Sequence, residues 1–227
     1  MPFSAVRAIA FDLDGTLIDS VPALAQAAGA ALVDLGRPAC SEEAARGWIG
    51  NGAEMLMRRA LSGNVEPDPT LEPELLDHAL ERFHFHYGAH LDKGSPLYPG
   101  VEQTLAKLKA RGYRLALITN KPARYLPELM ATCGLADHFE LMLGGDSLVR
   151  RKPDPMPLEH VLDHFGLGAH QMVMVGDSRN DIEAARAAGC ASIGLSYGYN
   201  YGQPIAALDP TQTLDHFEHL LALLPAR

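Results

Sequence analysis

Val6-Arg7-Ala8-Ile9-Ala10-Phe11-Asp12-Leu13-Asp14-Gly15-Thr16-Leu17 passes from an apolar run to two carboxylates, a glycine and a hydroxyl. A short apolar run bounded by polar residues reads as a buried strand. Both carboxylates can face one ligand if the chain turns after the strand, and Gly15 permits such a turn. Asp-x-Asp alone is a weak signal. Framed by a strand before it and Gly-Thr after it, the signal is strong.

Working outward, the same apolar character returns in Arg114–Ile118, in Met172–Val175 and in Ser192–Leu195. Between these runs lie amphipathic patterns that predict helices over Val101–Ala110, Leu126–Cys133, Pro157–Phe165 and Asp181–Ala188, with a last helix over Asp215–Leu223. Glycines follow several of them as stop signals. Strands alternating with helices predict an α/β fold, a Rossmann-like doubly wound, mostly parallel sheet covered on both faces. Ligands bind such sheets outside the carboxyl ends of the strands. Asp12, Thr119 and Asp177 all fall just past predicted strand ends, so distant segments converge on one edge.

Residues 20–93 break the alternation. They read as helical, with an Ala-rich stretch from Ala23 to Ala31, a run from Ala53 to Leu61 and another from Leu75 to Tyr87, Pro67 and Pro69 marking a loop. Gly94-Ser95-Pro96-Leu97-Tyr98-Pro99-Gly100 reads as a linker. The expected organisation is a catalytic core of residues 1–19 and 94–227 and an inserted helical cap of residues 20–93.

Composition narrows the function. Hydrophobic residues make up 47% of the 227, enough for a packed core. No apolar stretch approaches the roughly 20 residues of a membrane span. Met1–Ala10 does not read as a signal peptide, which makes a cytoplasmic location the expectation. Net charge is −9 without a Lys/Arg run, so neither nucleic acid nor membrane is the expected partner. A small phosphate ester is, bound by a monomer or a homodimer. Cys40, Cys133 and Cys190 show no metal or redox spacing.

Three more motifs join Asp12-Leu13-Asp14. Thr119-Asn120-Lys121-Pro122 puts a hydroxyl and an amide at a strand end, where they could bind phosphate oxygens or cap a helix. Arg151-Lys152-Pro153-Asp154-Pro155 places Lys152 just before a Pro-rich helix start. Gly176-Asp177-Ser178-Arg179-Asn180-Asp181 brings two more carboxylates to the same edge. His84, His86 and His90 lie close together, but Gly88 weakens a shared helical face, and a cap surface is the favoured reading over a metal site.

Taken in order, the four motifs resemble the haloacid dehalogenase superfamily in its phosphatase branch. The resemblance implies that Asp12 is the nucleophile and Asp14 the general acid and base. It implies Mg²⁺ held by Asp12, Asp177 and the Asp14 backbone carbonyl, with Asp181 acting through water or orienting Lys152. Thr119, Asn120 and Lys152 would bind the phosphate. The second Asp favours phosphate chemistry over halide displacement, which needs no proton.

Gly176–Asp181, Ala187-Ala188-Gly189-Cys190, Ser196-Tyr197-Gly198-Tyr199-Asn200-Tyr201-Gly202 and Trp48-Ile49-Gly50-Asn51-Gly52 are similar to bacterial phosphoglycolate phosphatases. That resemblance implies hydrolysis of 2-phosphoglycolate to glycolate and phosphate, within glycolate and carbohydrate metabolism. Arg46, the Gly50-Asn51-Gly52 turn and Arg124 are candidates to meet the substrate carboxylate. Tyr197, Tyr199 and Tyr201 are expected to pack a loop against the core rather than to stack on a base. Alternatives remain: a sugar-phosphate phosphatase such as an N-acetylmuramate 6-phosphate phosphatase, a phosphomutase of the same fold, or a noncatalytic phosphate-binding module.

Overall fold

The structure is a computed structural model that describes residues 3–89, 91 and 95–226. His90 and the expected boundary between residues 93 and 94 lie outside the described residues. In chain order, β1 (Ala8–Phe11) is followed by α1 (Val21–Asp34), α2 (Glu42–Arg46), α3 (Ala53–Ser62) and α4 (Pro73–Gly88). Then come α5 (Val101–Ala110), β2 (Arg114–Ile118), α6 (Leu126–Thr132), β3 (Leu141–Leu143), α7 (Met156–Phe165) and β4 (Met172–Gly176). The chain continues with α8 (Arg179–Ala187), β5 (Ala191–Leu195), β6 (Gln212–Leu214) and α9 (Leu220–Leu223).

The six strands form one sheet in the order β3-β2-β1-β4-β5-β6, and every pairing is parallel. β1 is central. Ala8 pairs with Arg114 on one side and Met172 on the other. Such a strand is buried on both faces, which explains why Ala8–Phe11 shows no polar alternation. Ile9, Phe11, Leu115, Leu117, Val173 and Val175 pack on one face, while Ala8, Ala10, Ala116, Ile118, Met172 and Met174 pack on the other with α7 and α8. The doubly wound expectation thus holds.

Helices α1, α3 and α4 pack around an apolar cluster of their own, with Ala27, Ala28, Ala31, Met57, Ala79 and Phe83 at its centre. The Ala-rich face of α1 lets α4 approach closely. Two chain segments join these helices to the sheet, and they run side by side. Asp19 N–H donates to Pro96 O at 2.9 Å and Tyr98 N–H to Leu17 O at 3.0 Å.

Three elements were not singled out in the sequence, and one expectation needed correction. β3 and β6 carry too few residues to show a pattern, and both lie at sheet edges. The last helix is not continuous from Asp215. Leu214 closes β6, Asp215 accepts from the Ser196 hydroxyl, and only Phe217–His219 as a tight turn and α9 are helical. α2 sits in a stretch read only as generally helical. Its start is set by Ser41, whose Oγ accepts from Ala44 N–H at 3.1 Å.

Candidate active site

Asp12 follows β1 directly, and its backbone N–H donates to Val175 O on β4 at 3.0 Å. The chain then turns at Gly15, whose φ is +86°. A Cβ there would strike the Asp177 carboxylate, so only glycine lets the two segments close. Gly198, on the loop after β5, packs against Asp177 in the same way. Asp177 Oδ1 accepts from the Thr16 hydroxyl at 3.0 Å and Oδ2 from Tyr199 N–H at 2.7 Å.

Asp181 lies in the first turn of α8. Its Oδ2 accepts from Ser178 N–H at 3.0 Å and from the Ser178 hydroxyl at 2.7 Å, which caps the helix. Its Oδ1 accepts from Lys152 Nζ at 2.6 Å. Lys152 comes from the loop between β3 and α7. The same ammonium donates to Ile118 O at 2.6 Å and pairs with Asp12 Oδ1 at 2.9 Å. A lysine has three N–H donors, and all of these are directed at protein oxygens.

Oxygens of Asp12, Asp177 and Asp181 lie within 4.8 Å of one another, and all three residues are buried. Three carboxylates and one ammonium leave the cluster negative. Burial pushes Asp12 up to about 7, against the opposing pull of Lys152 and with the help of Asp181. Burial and the neighbouring carboxylates push Asp177 up as well. Burial disfavours the Lys152 charge, but Asp12 and Asp181 more than offset it and hold the ammonium above the ordinary lysine range. Hard carboxylate oxygens with uncompensated charge fit a divalent cation. Both oxygens of Asp177 and of Asp181 already accept from the protein, while Asp12 is paired through Oδ1 with Lys152.

A cleft of about 470 Å³, open mouth included, lies between the strand ends and the helices. Asp12, Asp14, Thr119, Asn120 and Lys121 line its floor, and Leu24, Ile49, Leu56, Phe83 and Tyr87 line its walls. Asp14 Oδ1 is buried and receives no hydrogen bond, although Lys121 Nζ stands 3.1 Å away. The contact is an ion pair whose angle does not form a hydrogen bond. Asn120 donates its side-chain amide to Gly50 O at 3.0 Å and Lys152 O at 2.9 Å, tying the loop before α3 to the floor. Thr119 Oγ accepts from Lys121 N–H at 3.2 Å and keeps its own hydrogen free.

The sequence matches a family model described as haloacid dehalogenase-like hydrolase over residues 9–195. The chain belongs to this family. It is 49% identical to a phosphoglycolate phosphatase of Aliivibrio fischeri, over 98% of each chain. It is 47% identical to one of Vibrio cholerae, over 97% of each chain. A crystal structure described as a predicted phosphoglycolate phosphatase from Haemophilus somnus superposes with a TM-score of 0.92 at 42% identity, covering 98% of this chain and 99% of that one.

The tyrosine loop of this hydrolase packs against the core and helices. Tyr197 donates to Thr16 O at 2.7 Å. Tyr199 donates to Asp19 Oδ1 at 2.8 Å and accepts from Ser20 N–H at 2.9 Å, at one of the paired connecting segments. Tyr201 donates to Asn51 Oδ1 at 2.8 Å and accepts from the Asn180 amide at 2.9 Å. With each hydroxyl spoken for and Tyr199 buried, the rings are not a stacking platform.

Sequence reasoning missed two features of the hydrolase site. Asn180 bridges Gly50 O at 2.9 Å and Asn51, fastening the helices over the cleft, where the sequence had offered only the two carboxylates of Gly176–Asp181. Lys121 lines the floor, yet drew no attention beside Thr119 and Asn120. It is 4% exposed and donates to the Tyr87 hydroxyl at 2.9 Å. Burial works against its charge, but Asp14 and Tyr87 prevail and hold the ammonium above the ordinary range. Of the three candidates for the substrate carboxylate, Arg46 and Arg124 do not line the cleft, whereas Gly50 and Gly52 of the turn do. Arg46 lies over the Tyr199 ring and Arg124 over the Tyr125 ring. The histidines go to other partners: His84 contacts the Tyr125 hydroxyl and His86 contacts Asp34, both at 2.7 Å.

Proposed function

We propose that the chain hydrolyses 2-phosphoglycolate to glycolate and phosphate through a covalent phosphoryl group on Asp12. The carrying observation is that the Asp12 carboxylate and Asp14 Oδ1, which accepts no hydrogen bond, share one cleft, with Lys152 paired to Asp12. The substrate comes from the names of relatives 47–49% identical over nearly the whole chain. An apolar wall of Leu24, Ile49, Leu56 and Phe83 supports it, since it offers few partners for sugar hydroxyls.

In the first step an Asp12 oxygen attacks phosphorus as the ester oxygen leaves, and Asp14 gives that oxygen its proton. In the second step Asp14 takes a proton from water, the water oxygen attacks phosphorus, and the Asp12 carboxylate is released. The Thr119 hydroxyl and the Asn120 backbone are the phosphate-binding groups. Lys152 lowers the repulsion between an anionic nucleophile and an anionic substrate, which at about 4 Å is roughly 4 kcal/mol per charge pair at an effective dielectric near 20. Mg²⁺ held by Asp12, Asp177 and the Asp14 carbonyl would supply the further positive charge that phosphoryl transfer requires. Residues 20–93 act as the cap that closes the cleft to bulk water, over a core of 1–19 and 94–227, and the working location is the cytoplasm.

Specificity constants across a panel of esters test the substrate. 2-Phosphoglycolate is expected to lead N-acetylmuramate 6-phosphate and hexose phosphates by about 10²-fold or more, because unpaired hydroxyls in an apolar cleft cost several kcal/mol. A sugar phosphate in the lead would refute the assignment.

The raised Asp12 also predicts a pH-dependent metal effect. Asp12 titrates near 3.8 when unfolded and near 7 in the fold, so the folded chain binds the extra proton between these values. Without metal, this group's contribution to stability falls as pH rises from about 4 to 7. A cation competes with that proton and binds better at high pH. Thermal melts should show Mg²⁺ at a hundredfold excess over its Kd raising Tm by about 5 °C or more at pH 8. The rise should be clearly smaller at pH 5.5. An equal rise at both values would mean that the cation binds elsewhere.

A further inference from the structure

We propose that Lys121 is the specificity-determining cation of this site, its ammonium receiving the carboxylate of the substrate's leaving group while Tyr87 of α4 holds it in place. The inference rests on the phosphoglycolate reading above. Among the residues that line the cleft, Lys121 is the one cation. Lys152 is committed to Asp12, Asp181 and Ile118 O, and Arg46 and Arg124, which do not line the cleft, lie over the Tyr199 and Tyr125 rings.

Lys121 is placed and unspent. It stands three residues past the end of β2, and Pro122 follows it. One of its three N–H donors goes to the Tyr87 hydroxyl, and its 3.1 Å approach to Asp14 forms no hydrogen bond. Donor capacity therefore remains, and it faces a cleft with otherwise apolar walls. A buried ammonium with donors left over is costly unless an anion completes it.

The spacing fits the ligand. In 2-phosphoglycolate a single methylene separates the carboxylate from the bridging ester oxygen. Asp14 must reach that bridging oxygen, and Lys121 Nζ lies 3.1 Å from Asp14 Oδ1. The carboxylate of an ester oriented for attack by Asp12 thus falls within reach of Lys121. An ester of the same size with an uncharged leaving group would leave the remaining donor without an anionic acceptor, so the site selects by charge rather than by bulk. Tyr87 belongs to the helices over the cleft, so its hydroxyl makes the cation's position depend on their being closed.

The test compares kcat/KM for 2-phosphoglycolate and for 2-hydroxyethyl phosphate, a near-isosteric neutral ester, in the Mg²⁺-loaded enzyme and its Lys121→Met, Lys121→Arg and Tyr87→Phe variants. A charged hydrogen bond supports a preference of about 10- to 100-fold. That preference is expected to collapse in Lys121→Met, mainly through KM, to return in part in Lys121→Arg, and to fall severalfold in Tyr87→Phe. Lys121→Met and Tyr87→Phe that lower both esters equally, leaving the ratio intact, would overturn the inference and reduce Lys121 to a prop for Asp14. A wild-type enzyme without preference for the acid would instead refute the substrate reading, and this inference with it. Should Lys121→Met fail to fold, the ratio in Tyr87→Phe decides.

Discussion

Asp12→Asn is expected to cut phosphate release by about 10⁴-fold or more with any ester, since an amide oxygen cannot accept the phosphoryl group and return it to water. The same change removes one of three buried carboxylates whose oxygens crowd within 4.8 Å. Burial and Asp181 already oppose ionisation of Asp12. The metal-free variant should therefore melt no lower than the parent, a separation of activity from stability common at sites built around repelling charges. Phosphate release and thermal melts in chelator check the two halves together. Retained turnover would exclude Asp12 as the nucleophile. Lost turnover with a collapsed fold would mean that Asp12 is structural.

Lys152→Ala is expected to lower kcat by roughly 10²- to 10³-fold, the range seen when one preorganised charge-stabilising group is removed. The ammonium does not face an open cleft. It is 2% exposed and held between Asp12, Asp181 and the Ile118 carbonyl. Its loss leaves two carboxylates unquenched, and breaking a buried pair costs about 3–5 kcal/mol. Protonation of Asp12, already disposed to it, relieves part of that cost, so the variant should fold with a lowered Tm. Near-normal hydrolysis by a folded Lys152→Ala would rule out this role. One side chain both pairs with Asp12 and joins α8 to the centre of the sheet.

The legible parts of the sequence were those with a strong local pattern. Central strands buried on both faces give unbroken apolar runs, so Ala8–Phe11, Arg114–Ile118 and Met172–Gly176 stood out. The motifs at their ends were visible because a strand fixes where the next polar residue points. β3 and β6 were invisible because three residues at an edge carry no period. Lys121 escaped because its environment is assembled from elsewhere. Tyr87 lies on α4 and Asp14 past β1, and nothing local distinguishes a lysine destined for burial from one in solvent. Asn180 escaped for the same reason, its partners Gly50, Asn51 and Tyr201 being remote in the chain. A clue did exist in the aromatic and glycine alternation of Tyr197–Gly202, which is too regular for a plain loop. Its purpose, three hydroxyls fastening three different segments, required coordinates.

The central place of β1 bears on biosynthesis. β1 precedes, in chain order, both of the strands it needs as partners, which it meets at Arg114 and at Met172. Until the second of these has emerged, the nascent polypeptide must keep an apolar segment from self-association, a hazard of high contact order. A prematurely terminated product would hold Asp12 without Asp177 or Asp181, and so without the buried carboxylate cluster that the three build together.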